Sequence, residues 1–237
     1  MIDLLEINNL YVNYGNLKIL NDVSLCVREG EIVSLIGANG AGKTTLCRAI
    51  SGLSKVISGN ILYHGEDITN HSPGSMVARK IIQVPEGRML FTHMSVKENL
   101  LLGAYNRSSR EIMKSNLEYV YELFPDLKLK EKEKAGSLSG GQQQMVAIAR
   151  GLMSNPDILI LDEPSIGLSP VMTQSVIEVI KKINENGTAI LIAEQNIAQV
   201  LKIAHKAYVI EQGKIVMSGD AADMLNNENV RKAYLGM

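Results

Sequence analysis

Aromatic residues and cysteines are scarce in this chain. Its 237 residues include no tryptophan, two phenylalanines and two cysteines, Cys26 and Cys47. So few aromatic rings argue against the stacking platforms on which proteins bind single-stranded nucleic acid. The cysteines form no C-x-x-C pair, and free thiols in a reducing compartment are favoured over a single disulfide. The scarcity of aromatic rings leads us to expect no nucleic-acid partner.

Long apolar runs and an excess of one charge are also lacking. No run approaches the roughly 18 apolar residues that span a bilayer. The N-terminal segment has no basic region followed by an apolar stretch, as a signal peptide has. The formal net charge is -1, which indicates neither a nucleic-acid nor an acidic-membrane surface. We expect a cytoplasmic protein that reaches a membrane only through other chains.

Strand and helix patterns alternate along the chain. The segments "LLEINNLYV" and "KILNDVSLCV" alternate as antiparallel strands do. Short apolar runs then alternate with helical patterns, which is typical of a mostly parallel sheet with flanking helices. Residues 95–153 are mainly helical, and "SVKE" and "SSRE" within them fit capping boxes. We predict an α/β fold of this kind, with an N-terminal antiparallel β region and a helical insert.

A glycine-rich segment at residues 37–44, "GANGAGKT", fits G-x-x-x-x-G-K-[ST] at every position. It follows a short apolar strand and precedes a helix, as a phosphate loop must; an ordinary glycine-rich turn is the alternative. In such a loop backbone N–H groups bind phosphate, the lysine contacts the β- and γ-phosphates, and the hydroxyl binds Mg²⁺. The predicted phosphate-binding residues are Gly37, Ala38, Asn39, Gly40, Ala41, Gly42, Lys43, Thr44 and Thr45.

An acidic pair ends a second apolar strand, in "DILILDEP". In an open parallel sheet the carboxyl ends of the strands lie beside the phosphate loop. We predict that Asp162 supports Mg²⁺ together with Thr44, and that Glu163 orients or deprotonates an attacking water. Surface acids commonly end strands, so the pair alone would be a weak signal. It is informative here because a complete phosphate loop precedes it.

The segment "LSGGQQQMVAIAR" begins with the spacing of a capping box, formed by Ser139 and Gln142. Taken alone, this segment is explained equally well by a plain helix N-cap. In the functional alternative, Gly140 and Gly141 would leave space for an anion. The Ser139 hydroxyl and the helix N-terminus would then face a phosphate.

In this order, "GANGAGKT", "LSGGQ" and "ILILDEP" resemble the ATP-binding cassette of ABC transporters, over essentially the whole chain. The segments "VPEGR", "LDEPSIGLSP", "AEQN" and "VRKAYLGM" further resemble the LivF-type ATPase subunits of branched-chain amino-acid importers. The resemblance implies a single ABC ATPase domain over residues 1–237, which hydrolyses ATP to ADP and phosphate. Residues 1–86 and 155–237 would form the nucleotide-binding core, and residues 87–154 a helical subdomain with the signature motif.

The resemblance also implies roles for single residues. Tyr14 would stack on adenine, although a core tyrosine on an edge strand is the alternative. Gln83 would reach Mg²⁺ and the attacking water, and Glu163 would be the catalytic glutamate. The signature of one cassette would contact ATP bound by another, so each site needs two chains. These signature residues are Ser139, Gly140, Gly141 and Gln142.

Partners are implied by the same resemblance. We expect a second ABC ATPase subunit, either a copy of this chain or a related one, and membrane-spanning permease subunits. A substrate-binding protein would act indirectly. Met89 and Met94, near Phe91, lie where the family's groove receives a permease helix, and ordinary core methionines are the alternative. The chain would thus lie peripherally on the inner face of the cell membrane.

Two positions depart from the family pattern. Ser169 replaces an aspartate that often ends the loop between cassettes, and it fits a helix N-cap followed by proline. Gln195 replaces the histidine that usually bonds the γ-phosphate. We predict that Gln195 is a positioning sensor for that phosphate, because an amide donates a hydrogen bond but carries no positive charge. The histidines at 64, 71, 93 and 205 are expected to be surface or capping residues.

Alternatives exist at two levels. Related cassettes drive urea or amide import and lipopolysaccharide export, and other subunits choose the cargo. Cassettes of DNA repair need a long coiled coil and those of translation need two cassettes, and this sequence has neither. A phosphate-loop GTPase would need a guanine-binding N-K-x-D, which is missing, and a kinase would need an acceptor pocket. Neither of these classes explains "LSGGQ".

Overall fold

A computed structural model describes residues 3–226, apart from the side chains of residues 107 and 108. The "VRKAYLGM" segment used in the family resemblance lies outside these residues. The strands are β1 (Asp3–Tyr14), β2 (Leu17–Arg28), β3 (Ile32–Ile36), β4 (Val56–Tyr63), β5 (Glu66–Asp67), β6 (Ile81–Val84), β7 (Ile158–Asp162), β8 (Ala189–Glu194), β9 (Lys206–Glu211) and β10 (Lys214–Asp220). The helices are α1 (Lys43–Ile50), α2 (Pro73–Ala78), α3 (Val96–Gly103), α4 (Arg107–Glu111), α5 (Met113–Leu123), α6 (Pro125–Leu129), α7 (Gly140–Leu152), α8 (Pro170–Glu185), α9 (Ile197–Val200) and α10 (Ala221–Asn226), with a 3-10 turn at Ala135–Ser137.

Two sheets form the framework. The first is antiparallel, with strand order β2-β1-β4-β5. The second has strand order β10-β9-β3-β8-β7-β6, in which β10 is antiparallel to β9 and the other neighbours are parallel. The strands β3, β7 and β8 are buried along their whole length, as expected for parallel strands covered on both faces. The predicted α/β fold class is confirmed.

The helical insert lies between β6 and β7 in the chain and contains α3 to α7. The predicted capping box at Ser95 is present, because Ser95 and Glu98 exchange hydrogen bonds at the start of α3. The predicted box at "SSRE" is wrong: α4 begins at Arg107, and the side chain of Asn106 caps it by accepting from the N–H of Ser109. An asparagine is as good an N-cap as serine, and it stands two residues earlier.

Both cysteines are free thiols, as predicted. Cys47 is buried, whereas Cys26 is only partly buried. No helix in the described part of the chain has the length and apolarity needed to cross a membrane.

Candidate functional site

The predicted phosphate loop connects the end of β3 to the start of α1. Two of its glycines have left-handed backbone, with φ of 79° at Gly40 and 113° at Gly42. A Cβ atom on Gly42 would also lie 2.8 Å from a methyl group of Leu20, so only glycine fits there. The first turn of α1 has no side-chain cap and no acidic residue. Its N–H groups and helix dipole therefore favour an anion.

Lys43 joins this loop to the acidic strand end. Its side chain is 4% exposed, and Nζ donates to the carbonyl oxygens of Gly37 at 2.7 Å and Ala38 at 3.1 Å. The same ammonium forms an ion pair with Oε1 of Glu163 at 2.8 Å. A lysine ammonium has only three donors. Phosphate oxygens bound at the loop would therefore compete with Glu163 for this charge.

Asp162 lies beside Thr44, at the end of β7. The Thr44 hydroxyl donates to Oδ1 of Asp162 at 3.1 Å. Burial raises the pKa of Asp162 to about 6, and the negative charges of Glu163 and Glu86 act in the same direction. The hydrogen bond from Thr44 and the charge of Lys43 act against this increase.

Oxygen atoms suited to Mg²⁺ lie on two neighbouring strands at this end of the sheet. Oδ2 of Asp162 and Oε1 of Gln83 are buried, and neither has a hydrogen-bond partner among the described residues. The strands that bear them, β6 and β7, are parallel neighbours. Mg²⁺ prefers oxygen ligands and is usually held by one or two carboxylates together with substrate phosphates. The oxygens of Thr44, Gln83 and Asp162 thus fit the ion. In residues 3–226 no cluster of three or more His, Cys, Asp or Glu side chains could hold a metal.

Glu163 has an unusual backbone. It is 6% exposed, and its φ of 50° lies in the left-handed region, which costs a residue with a side chain about 1–3 kcal/mol. Its N–H donates to the carbonyl oxygen of Ala193 at 2.8 Å, which extends the pairing of β7 with β8 by one residue. The strain is stored next to the carboxylate that pairs with Lys43, as is common at functional sites.

The end of β8 bears a second buried acid. Glu194 is 2% exposed, and burial raises its pKa, although the hydrogen bonds from Ser165 oppose the increase. The predicted sensor, Gln195, follows directly, and it is exposed. The sequence pattern assigned no role to Glu194. Its signal was available, because an acid directly follows five apolar residues in "AILIAE".

A cavity of about 310 Å³ lies over the phosphate loop. Its lining residues are Ile19, Asn39, Gly40, Gly42, Lys43, Thr44, Thr45, Glu86, Glu163 and Ile166. Six of the nine predicted loop residues therefore line one cavity together with Glu163, whereas Gly37, Ala38 and Ala41 do not line it. The structure does not place Tyr14, Gln195 or the signature residues in the lining of this cavity.

Tyr14 stands at the end of β1, which is an interior strand of the antiparallel sheet. Its side chain is 47% exposed, and its hydroxyl lies 3.0 Å from Oγ of Ser54. The residue is thus not a core tyrosine on an edge strand. An exposed ring near the phosphate loop suits a flat ligand, and adenine stacking stays a prediction.

The signature segment forms the predicted capping box. The N–H of Ser139 donates to Oε1 of Gln142 at 3.1 Å, and the N–H of Gln142 donates back to Oγ of Ser139 at 3.4 Å. The space beside the two glycines is filled by this chain: Gly140 faces the Arg88 guanidinium, and a Cβ atom on Gly141 would overlap the side chain of Met172. Contact of the signature with a phosphate stays a prediction.

A family model described as "ABC transporter" matches residues 20–166, and this span contains the phosphate loop, the signature and the acidic strand end. The chain belongs to the ABC transporter family. The predicted family and the activity expected of it, transport-coupled ATP hydrolysis, are confirmed.

Relatives of this cassette align over nearly its whole length. The high-affinity branched-chain amino acid transport ATP-binding protein BraG of Pseudomonas aeruginosa is 43% identical, over 98% of this chain and 100% of its own. The probable branched-chain amino acid transport ATP-binding protein LivF of Archaeoglobus fulgidus is 34% identical, over 96% and 97%. The lipopolysaccharide export system ATP-binding protein LptB of Escherichia coli K12 is 33% identical, over 98% and 97%.

A solved cassette shares the fold. The ADP conformation of MJ1267, an ATP-binding cassette of an ABC transporter, superposes with a TM-score of 0.86 at 28% identity, and each chain covers 100% of the other. The strand order and the flanking helices of this cassette are therefore those of a nucleotide-binding ABC protein.

The two departures from the family pattern have clear local structure in this cassette. Ser169 caps α8 by accepting from the N–H of Met172 at 3.4 Å, and Pro170 follows at the first helical position. Among the histidines, which were predicted to be surface or capping residues, His205 is exposed and accepts the N–H of Ile32 at 2.9 Å through Nδ1. The helix that follows Gln195 is short, since α9 has four residues.

The Lys43–Glu163 ion pair gives a stability prediction for the cassette without nucleotide. We expect Lys43→Met to lower the free energy of unfolding by about 3–5 kcal/mol, because it leaves a buried carboxylate unpaired. Adding Glu163→Gln should restore most of this loss, since the unpaired charge is then gone. Urea denaturation of both single variants and the double variant measures the coupling.

Lys80→Met is the matched control, because Lys80 pairs with Asp157 at 3.2 Å where both side chains are about 40% exposed. Its loss should be about 1 kcal/mol or less. Additive losses for Lys43→Met and Glu163→Gln would contradict the prediction.

Proposed function

We propose that this chain is the ATP-hydrolysing subunit of an importer of branched-chain amino acids, bound to permease subunits at the cytoplasmic face of the membrane. The hydrolytic part rests on one observation: Lys43, Thr44, Asp162 and Glu163 meet at one end of the parallel sheet. The cargo rests on the similarity to BraG and LivF, which extends over nearly the whole chain.

The contacts of the site support a sequence of events. ATP phosphates accept hydrogen bonds from the N–H groups of the loop and from the Lys43 ammonium. This contact with Lys43 frees the Glu163 carboxylate from its ion pair. Glu163 then orients and polarises a water for in-line attack on the γ-phosphate. Gln195 donates its amide to that phosphate, and Tyr14 stacks on adenine. Thr44, Gln83 and Asp162 would hold Mg²⁺, which would neutralise charge developing on the phosphates.

Two cassettes would close head to tail over two nucleotides. The sequence has one phosphate loop and one signature, and Ser139 is exposed at the N-terminus of α7. The signature residues do not line the cavity over their own phosphate loop. These facts suit a signature that faces the γ-phosphate held by the other cassette, a second copy or a related chain, through the Ser139 hydroxyl and the backbone N–H of Gly141.

A larger groove would receive the permease. It has a volume of about 870 Å³ and is lined mostly by apolar side chains, including Met89 and Phe91, which are 66% and 55% exposed. Met94 is not among its lining residues. Gln83 also lines the groove. The same residue therefore belongs both to the proposed docking surface and to the proposed Mg²⁺ ligands. Most of the lining comes from residues 87–154, which we propose act as the helical subdomain.

The cargo is tested by reconstitution. The chain, co-expressed with the permease and binding-protein genes of a branched-chain amino-acid importer, is expected to co-purify with the permease and to support ATP-dependent leucine uptake into proteoliposomes. Urea, amide and lipopolysaccharide systems are assayed in parallel. Assembly with the lipopolysaccharide exporter alone would contradict the proposed cargo and leave the proposed hydrolysis intact, since LptB is a relative too.

Glu163→Gln tests the role of the carboxylate. In the assembled transporter we expect ATP to bind normally and turnover to fall by about 100- to 10,000-fold, because general-base assistance has that worth. A closed cassette dimer should accumulate with ATP and be visible by size-exclusion chromatography of the isolated chains. Glu178→Gln, on the exposed side of α8, is the control. Near-normal turnover would remove Glu163 from the mechanism.

Gln195 is tested by two substitutions. Gln195→Ala should reduce ATPase activity of the assembled transporter, because the γ-phosphate loses a donor. Gln195→His should add a titration near neutral pH to the rate profile, since imidazole has an unperturbed pKa of about 6.5. Unchanged activity in Gln195→Ala, or superimposable pH profiles for Gln195→His and the wild type, would contradict contact with the phosphate.

A further inference from the structure

Glu194 is the one buried charge of the described chain that the proposed mechanism does not use. Four charged side chains are buried in residues 3–226, and all of them lie at the ends of strands or loops around the site: Lys43, Asp162, Glu163 and Glu194. The first three have proposed roles with ATP or Mg²⁺. Among the described residues Glu194 has no ion-pair partner, so its charge must be stabilised by other groups.

Backbone N–H groups from two segments supply that stabilisation. Oε1 of Glu194 accepts the N–H of Ser165 at 2.8 Å. Oε2 accepts the N–H groups of Gln195 at 3.1 Å and Asn196 at 3.3 Å. A buried carboxylate is costly unless such charge-assisted hydrogen bonds compensate for the lost water. One carboxylate therefore ties the loop after β7 to the chain leaving β8.

Hydrogen bonds to β8 hold the backbone both at Glu163 and two residues after it. At the turn itself, the N–H of Glu163 donates to the carbonyl oxygen of Ala193 at 2.8 Å. After the left-handed residue, with its φ of 50°, the N–H of Ser165 is held by Glu194. Two consecutive residues of β8 thus anchor the strained turn, and relaxing the turn at Glu163 requires breaking one anchor.

The other carboxylate oxygen, Oε2, binds the backbone of the predicted phosphate sensor, Gln195. Because Oε2 accepts the N–H of Gln195, the start of the segment after β8 is held by the same group that holds Ser165. The geometry of the water-orienting carboxylate and of the sensor amide is therefore linked through one side chain.

We propose that Glu194 is a positioning residue for hydrolysis, which holds the strained turn at Glu163 in register with Gln195. This inference rests on the proposed role of Glu163. The hydrogen bonds of the Glu194 side chain go to Ser165, Gln195 and Asn196, and none of them goes to residues 37–45, the predicted phosphate-binding loop. Glu194 should therefore affect turnover and leave ATP affinity nearly unchanged.

Glu194→Gln is the direct test, because it keeps the size of the side chain and replaces one acceptor oxygen by a donor. An amide NH₂ cannot accept an N–H, so either Ser165 or the Gln195 segment loses its partner. In the assembled transporter we expect kcat to fall at least tenfold, with the Kd for a fluorescent ATP analogue within twofold of wild type. A kcat within twofold of wild type overturns the proposal, and so does a parallel loss of affinity.

Glu31→Gln is the matched control. Glu31 also accepts a backbone N–H, from Arg28 at 2.9 Å, but it precedes β3 at the end of the strand opposite the phosphate loop. Its kcat should equal that of wild type, and the Tm of both variants is measured. If Glu194→Gln does not yield folded protein, Glu194→Asp is assayed in the same way. It retains the charge on a shorter arm, and an unchanged kcat for this variant likewise overturns the proposal.

A double variant separates this inference from the proposed function. If Glu194 acts through Glu163, adding Glu194→Gln to Glu163→Gln should lower the single-turnover rate by less than twofold further. Losses that multiply show that Glu194 does not act through the turn at Glu163 and overturn the inference. Near-normal turnover in Glu163→Gln alone overturns the proposed function as well. Slow turnover in Glu163→Gln with wild-type turnover in Glu194→Gln overturns the inference alone.

Discussion

Three neighbouring parallel strands end almost level with one another, and the candidate site depends on that register. Ile36, the last residue of β3, is paired with Glu194, and Ala193 is paired with Asp162. The phosphate loop, the acid after β7 and the polar end of β8 therefore leave the sheet side by side. A shift of one residue in β8 would turn Glu194 to the opposite face of the sheet.

This arrangement concentrates charge in a buried place. Among the described residues, three buried carboxylates, of Asp162, Glu163 and Glu194, are offset by a single buried ammonium, that of Lys43. The hydrogen bonds from Thr44 to Asp162 and from backbone N–H groups to Glu194 make the burial tolerable. The raised pKa of Asp162 shows that the compensation is incomplete. Such an environment favours a ligand that brings cationic charge with it, as a nucleotide complexed with Mg²⁺ does.

Much of the fold could be predicted from local patterns. The apolar runs of β3, β7 and β8 and the helix starts at Ser95, Ser139 and Ser169 were all visible in the sequence. The β9–β10 hairpin was not predicted, although Gln212 and Gly213 form a turn with positive φ at both positions. The cap of α4 was misplaced because Asn106 and Ser108 are both residue types that favour an N-cap, and it is Asn106 that caps the helix.

The sequence by itself determined the chemistry of this protein. A phosphate loop, an acidic strand end and a signature segment are local patterns, because each acts through the backbone of a few consecutive residues. Only the tertiary structure decided which side chains meet. The pairing of Lys43 with Glu163, and the hold of Glu194 on Ser165, join segments about 120 and 29 residues apart. Contacts over such separations are set by strand register and burial, which no local pattern encodes.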